Sequence, residues 1–242
     1  MQWHTFTSPQ ESLGRLVGMG VFGVFLIRQF FPSSMYGMFP GLDDGFIFTR
    51  WCLVTFLFLL FFHAYIVRTP ALSLANRPIE IILPLICAPL PILIIVLCQL
   101  YYQQLFFHDF IATWNMTGLF TLWNLGMTNH LKAGLWIMGI GEAITVGGMW
   151  HLGSSFSIFT EARNLVSCGL YRFVRHPLYL GEIISIWGYA AFLPNTLTVL
   201  GALVFMVLQI IRAKIEEQKL LLIYPQYALY QQSIGFLIPK RR

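Results

Sequence analysis

Charge is what this chain has least of. Asp, Glu, Lys and Arg make up 10% of its 242 residues, against about 25% in a soluble domain. The shortfall excludes a large water-exposed surface, and the 57% of apolar residues fills the gap. No stretch between apolar runs is long enough to bury a core of its own, which excludes a sizeable soluble domain. Cys52, Cys87 and Cys98 lie in apolar runs and Cys168 in a polar one, with no C-x-x-C spacing, so neither a redox pair nor a metal site is expected. His63, His108, His130 and His151 also lack metal-ligand spacing and are read as structural or interfacial. The N-terminus lacks the basic region and cleavage site of a signal peptide, so its first apolar run is read as a retained span. Repeats and low-complexity segments are missing too.

What is present describes an all-α integral membrane protein of about six transmembrane helices. Apolar runs cover 13–31, 46–67, 79–102, 133–151, 177–193 and 195–213, each close to the ~20 residues needed to cross the hydrocarbon. A weaker run, 116–127, is too short to cross. Gly14, Gly18, Gly20 and Gly23 in the first run, and Gly139, Gly141, Gly147 and Gly148 in the fourth, are expected to permit close helix approach.

Net charge is +5, with the basic residues beside apolar runs. Topology and anionic lipid account for them, and no nucleic-acid partner is expected. Loop 68–78 carries Arg68 and Arg77. Loop 152–176 carries Arg163, Arg172 and Arg175 against Glu161, and the tail after 211 is rich in lysine and arginine. The alternate loops are balanced. Six crossings with both termini in the cytoplasm satisfy this pattern. Asn115-Met116-Thr117 is a formal glycosylation sequon on the predicted outer side.

Pro194-Asn195 is a turn signal, so the last two runs form a helical hairpin. A helix from 195 to about 222 is ~42 Å long, more than the ~30 Å of hydrocarbon, and its end should project into the cytosol with Arg212, Glu216 and Glu217. Pro177 suits the first turn of the fifth span. Arg175 and His176 then stand at a helix N-terminus, whose free amides favour an anion.

Between the fourth and fifth runs lies Gly169-Leu170-Tyr171-Arg172-Phe173-Val174-Arg175-His176-Pro177-Leu178-Tyr179. Polar groups this dense beside a span mark a functional site. Arg212 and Glu216, four apart, share one helix face. Cation, carboxylate, aromatic rings, histidine and free amides suit a zwitterionic ligand bearing a flat ring. S-adenosylmethionine fits, and other nucleotides share several of its features. The structural alternatives are plain: Arg172 as a positive-inside anchor, Tyr171 and Tyr179 as belt aromatics, and Arg212–Glu216 as a solvated pair. Glu142, midway along the fourth run, is either a structural hydrogen-bonding group or part of a substrate cavity. Glu182 is placed near the cofactor.

The stretch Arg175-His176-Pro177-Leu178-Tyr179, with Gly169-Leu170-Tyr171 before it, Gly181-Glu182 after it, and Arg212, Glu216-Glu217, Leu220, Tyr227 and Tyr230 further on, resembles the signature of the isoprenylcysteine carboxyl methyltransferases. Phospholipid N-methyltransferases look similar. The resemblance covers roughly 150–239. It implies S-adenosylmethionine as cofactor and a cofactor pocket on the cytoplasmic face. It implies cofactor contacts from Arg163, Asn164, Leu165, Val166, Tyr171, His176, Pro177, Leu178, Tyr179 and Glu216. Arg212 resembles the arginine facing the methyl acceptor, so Arg212, His176 and Arg175 are the expected catalytic residues, and Arg212 and Glu142 the expected acceptor-binding ones. The family often has histidine where this chain has Arg163, and Pro225 replaces its usual glycine.

Residues 1–130 are then N-terminal transmembrane helices and 131–242 the catalytic core. The expected partners are membrane lipid and a lipidic or small apolar methyl acceptor. An isoprenylcysteine-like carboxylate comes first, with phospholipid amines and small thiols as alternatives. A carboxylate arrives ionised and needs only orientation. An amine needs a base, with His176 or a glutamate available. Two further readings remain: an NADPH-dependent sterol or steroid reductase, whose C-terminal region is similar, and a transporter or lipid-binding protein.

Overall fold

The computed structural model describes residues 9–29, 44–95, 97–98 and 128–240. The weak run 116–127, the sequon and His108 fall outside them. The helices are α1 (Pro9–Gln29), α2 (Asp44–Val67), α3 (Pro78–Cys87), α4 (Thr128–Leu152), α5 (Pro177–Phe192), α6 (Thr196–Ile223) and α7 (Tyr227–Ser233). Among the described residues there is no β-strand, only isolated bridges at Ser73–Ala162 and Val174–Gly235.

Two stretches are long and apolar enough to cross a membrane, Pro78–Ile95 and Thr196–Ile223, and Gly14–Val24 and Cys52–Val67 are shorter apolar helices. Leu16, Val24, Ile82, Trp136, Trp150, Leu200 and Val204 all point outward. An apolar exterior on this scale needs a covering. Lipid supplies it, as an integral membrane protein requires.

The expected hairpin is present. Pro177 opens α5 behind His176, in the first-turn position where its missing N–H leaves no gap. Asn195 caps α6: its side-chain oxygen accepts from the Thr198 amide at 2.9 Å, and the Thr198 hydroxyl accepts from the Asn195 amide at 3.2 Å. From there α6 runs unbroken to Ile223.

Helices α4 and α5 pack closely because small residues face each other. A Cβ on Gly181 would stand 2.6 Å from the Gly141 carbonyl oxygen. In α1, Gly18 makes room for the Tyr65 ring, whereas Gly20 faces open space and contributes nothing to packing within the chain. Two apolar clusters fix the bundle. At one end Ile94, Cys98, Leu135, Met138, Ile186, Tyr189, Phe192 and Phe205 join the segment after α3 to α4, α5 and α6. At the other, Phe22, Phe61, Tyr65, Met149, Phe156, Leu178, Tyr179 and Ala213 form the floor of the site.

Candidate active site

Loops 68–77 and 153–176 meet at the second cluster's end of the bundle, with the end of α6. The Leu72 amide donates to the Ala162 carbonyl at 2.8 Å, and Ala162 returns a bond to Ser73 at 3.1 Å. Lys219 of α6 ties this junction together. Its Nζ donates to Glu80 at 2.7 Å and to the Leu74 and Thr160 carbonyls at 2.7 and 2.9 Å. Glu80 also accepts from the Asn76 and Arg77 amides at the start of α3. The Lys219 bonds to Glu80 and to the Thr160 carbonyl are buried, so they count for more than they would at a surface.

The 156–163 segment so held is one wall of a cavity. Glu161 is its hub, accepting from Arg68, from Arg163 at 2.7 Å and from Ser157 at 2.9 Å. The Ile158 amide donates to Tyr65 at 2.9 Å, and its carbonyl accepts from Arg212 Nη2 at 2.7 Å. Arg163, the departure from the family's histidine, is thereby pinned to Glu161.

The opposite wall begins at Gly169, whose φ of +57° starts a 3₁₀ turn and which lies against the His151 ring. A side chain there is both strained and blocked. The turn buries Tyr171, whose carbonyl accepts from the Tyr230 hydroxyl at 2.6 Å. Burial pushes the Tyr171 and Tyr227 phenols well above their ordinary range and Tyr230 up to about 12. All three therefore remain neutral donors at neutral pH.

The cavity, of about 100 Å³, is lined by Arg163, Asn164, Leu165, Val166, Tyr171, His176, Leu178, Tyr179 and Glu216, together with Phe156, Phe159, Glu161, Arg175, Leu220, Tyr227 and Tyr230. The expected cofactor residues thus gather on one space, with Pro177 the exception. It is packed away beneath the start of α5. Tyr179 donates its hydroxyl to Glu216, and the Arg212 guanidinium lies 5.1 Å from the Tyr179 ring centroid. Arg212 Nε is 3.6 Å from Glu216.

Several side chains sit differently from expectation. Arg175 does not present itself as a free cation at a helix end. Its Nε binds Glu217 at 2.5 Å, and its Nη1 donates to the Gln231 and Ile234 carbonyls at 2.9 and 2.6 Å. The Arg175 and His176 amides, expected to be open to an anion, donate to the Gly235 and Phe236 carbonyls at 2.8 and 3.3 Å. The C-terminal tail has taken them. His176 Nε2 is 3.1 Å from Glu217, and its ring stacks on Tyr179 with centroids 5.6 Å apart. Arg172 is exposed, in keeping with an anchor. Arg212, Glu142 and Glu182 lie outside the cavity lining. Glu142 is buried in α4, and Glu182 accepts from Gln209 across the hairpin.

Sequence reasoning missed Glu217 and Glu161 as hubs. The Glu216-Glu217 doublet carried a signal for the first. Adjacent helical residues point about 100° apart, so one glutamate facing the cavity obliges the other to face elsewhere. Ser157 and Arg163 are near neighbours of Glu161 in the chain, and only Arg68 comes from far away.

Fold and site define a helical integral membrane protein with a polar, aromatic-lined pocket where its loops converge. Residues 129–227 match the family model described as phospholipid methyltransferase. That match covers the segment that carries the Arg-His-Pro stretch and the Glu216-Glu217 doublet. Methanethiol S-methyltransferase from a Pseudomonas species is 39% identical over 77 residues, covering 30% of this chain and 27% of that protein. Methanethiol S-methyltransferase 1 of Bradyrhizobium diazoefficiens is 38% identical over 74 residues, covering 30% and 25%. The match thus spans about a quarter of those curated relatives. The solved eukaryotic intramembrane Ras methyltransferase, an isoprenylcysteine carboxyl methyltransferase, aligns over 96% of this chain and 98% of its own at 20% identity and a TM-score of 0.39.

Proposed function

We propose that this chain is an S-adenosylmethionine-dependent methyltransferase acting on a lipidic or small apolar acceptor. The observation that carries the reading is that His176 and Glu216, forty positions apart, line one cavity with segments 163–166 and 178–179. The donor set fits the cofactor. Glu216 suits an ammonium, and Phe156, Phe159, Tyr171 and Tyr230 suit a flat ring. Bound there, the cofactor supplies an electrophilic methyl group on a sulfonium.

The chain's own work is orientation. Glu217 fixes His176, which stacks on Tyr179, and Tyr179 in turn holds Glu216. Keeping nucleophile and methyl carbon in line is worth ~7–11 kcal/mol. Tyr179 and Arg212 stand between this cavity and the α5–α6 interface. An apolar acceptor reaches them sideways from lipid while the cofactor enters from water. Loop charge favours a multi-pass arrangement with the cavity and both termini on the cytoplasmic side. Residues 1–130 serve as transmembrane support and 131–242 as the catalytic core.

For the acceptor, an isoprenylcysteine-like carboxylate held by Arg212 is the reading its motif gave first. A small thiol is the second, and the two methanethiol S-methyltransferases among its relatives favour it. The match of residues 129–227 to the phospholipid methyltransferase family model weighs against the reductase and transporter readings.

Calorimetry on purified protein tests the proposal. S-adenosylhomocysteine should bind saturably and NADPH should not. NADPH binding alone reverses the assignment. Wild-type protein supplied with tritiated cofactor and a panel of prenylcysteine, phosphatidylethanolamine and small thiols then identifies the acceptor.

A further inference from the structure

A polar ladder descends from the cavity into the α5–α6 hairpin. Glu216, Arg212 and Gln209 follow one another at helical spacing on α6, facing Tyr179 and then Glu182 on α5. Below Glu182 and Gln209 the interface passes into an apolar cluster with Ile186, Ala202 and Phe205. The ladder therefore ends on a carboxyl group at membrane depth, where such a group is expensive and marks function.

Glu182 is only half-buried, and among the described residues its hydrogen bond comes from Gln209 alone. Two further atoms at this interface are unsatisfied. Gln209 is 2% exposed and Arg212 5%, yet Gln209 Oε1 and Arg212 Nε have no hydrogen-bond partner among the described residues. A purely structural network closes its bonds. This one leaves an acceptor and a donor open beside a carboxylate.

The charges facing Glu182 decide what fits. Arg212 and Glu216 of α6 lie within its electrostatic reach, as does the Cys87 thiol of α3 within that of Arg212 and Glu182. Tyr179 shares its helix, and Glu142 is the buried carboxyl of the adjoining α4. Two carboxylates against one guanidinium repel an anionic acceptor, while the apolar floor disfavours an ammonium.

We propose that Glu182, oriented by Gln209, is the base that takes the proton from a neutral thiol acceptor. This rests on the methyltransferase reading and chooses among its substrates. Glu182 receives the S–H proton while Gln209 and Arg212 hold the sulfur's position. The sulfur lone pair forms the new S–CH₃ bond as the methyl–sulfonium bond breaks. The departing sulfur keeps that electron pair as a neutral thioether, and Glu182 later releases its proton to water.

The test compares wild type with Glu182→Gln and Gln209→Leu, using an alkanethiol and a strongly acidic aromatic thiol. S-adenosylhomocysteine affinity, measured by calorimetry, should stay within about threefold in both variants. Alkanethiol turnover by Glu182→Gln should fall on the order of 10²–10⁴-fold and then rise with pH as the thiol ionises. The aromatic thiol, already ionised, should lose less than about tenfold. Thiol binding should also produce a protonated-carboxyl infrared band in wild type that Glu182→Gln lacks. Equal loss with both thiols, or wild-type alkanethiol turnover in Glu182→Gln, overturns the assignment. Should Glu182→Gln fail to fold, Gln209→Leu must still show the selective alkanethiol loss or the assignment falls. Absence of S-adenosylhomocysteine binding to wild type overturns the methyltransferase reading itself.

Discussion

Glu216 and Glu217 are adjacent in the chain, about 100° apart around α6, and hold different partners. Glu216 lines the cavity and accepts from Tyr179. Glu217 lies behind the cavity wall and gathers Arg175, His176, Tyr227 and Gln231. One carboxylate is available to a ligand, and the other is consumed in holding the C-terminal tail.

Substituting the two should therefore separate binding from folding. Glu217→Ala leaves Arg175 in a shielded site without its counterion, and breaking such a pair costs about 3–5 kcal/mol. Its thermal midpoint in detergent should drop clearly. Glu216→Gln should keep the wild-type midpoint to within about 1 kcal/mol of stability while S-adenosylhomocysteine affinity falls at least tenfold by calorimetry.

Lys219 and Glu80 make a second prediction, about the opposite wall. Lys219→Met strands Glu80 at the loop junction and should destabilise by about 3–5 kcal/mol. Adding Glu80→Gln removes the stranded charge and should restore part of that loss. Thermal unfolding of the two single variants and the double variant gives the coupling directly.

Gly181→Ala sets a methyl group 2.6 Å from the Gly141 carbonyl oxygen. Because the clash is with backbone, α4 and α5 must separate, at about 1–3 kcal/mol. Gly20→Ala, which meets nothing, should leave the midpoint unchanged. Size-exclusion profiles after graded heating distinguish the two.

Alkaline pH should weaken the fold through its tyrosines. Tyr230 is raised from 10.0 to about 12, and Tyr171 and Tyr227 further. Above about pH 10 the unfolded chain releases these protons while the folded one retains them. Stability is thus full below pH 10 and declines as pH climbs toward 12. Midpoints recorded between pH 8 and 11.5 should show the fall, and Tyr230→Phe should make it shallower.

Arg212→Lys keeps a charge near Glu216 but loses the planar fork that reaches both Ile158 and the α5–α6 interface. Turnover should fall more than tenfold with S-adenosylhomocysteine affinity changed less than threefold. Equal loss of both would place Arg212 with the cofactor and not with the acceptor.

The hairpin and the cavity were legible because their signals are local. Pro177, Pro194-Asn195 and the Arg-His-Pro stretch each declare a helix boundary or an unusual density of polar groups within a few positions. Their meeting with Glu216 followed from hairpin length alone. What escaped was set by chain return. Arg175 reads as an anion-binding cation until residues 231–236 come back to claim it. Glu80 and Lys219, 139 positions apart, share no pattern that spacing can disclose.

Because Gln209, Arg212 and Glu216 occupy one uninterrupted helix, their separations are set by helical pitch and by no flexible joint. The distance from Glu216 at the cavity to Gln209 beside Glu182 behaves as a graduated scale with three fixed marks. Replacing residues between the marks leaves the scale intact. Inserting or deleting a single one turns everything beyond it by about 100°, so this stretch should accept many substitutions and no change in length.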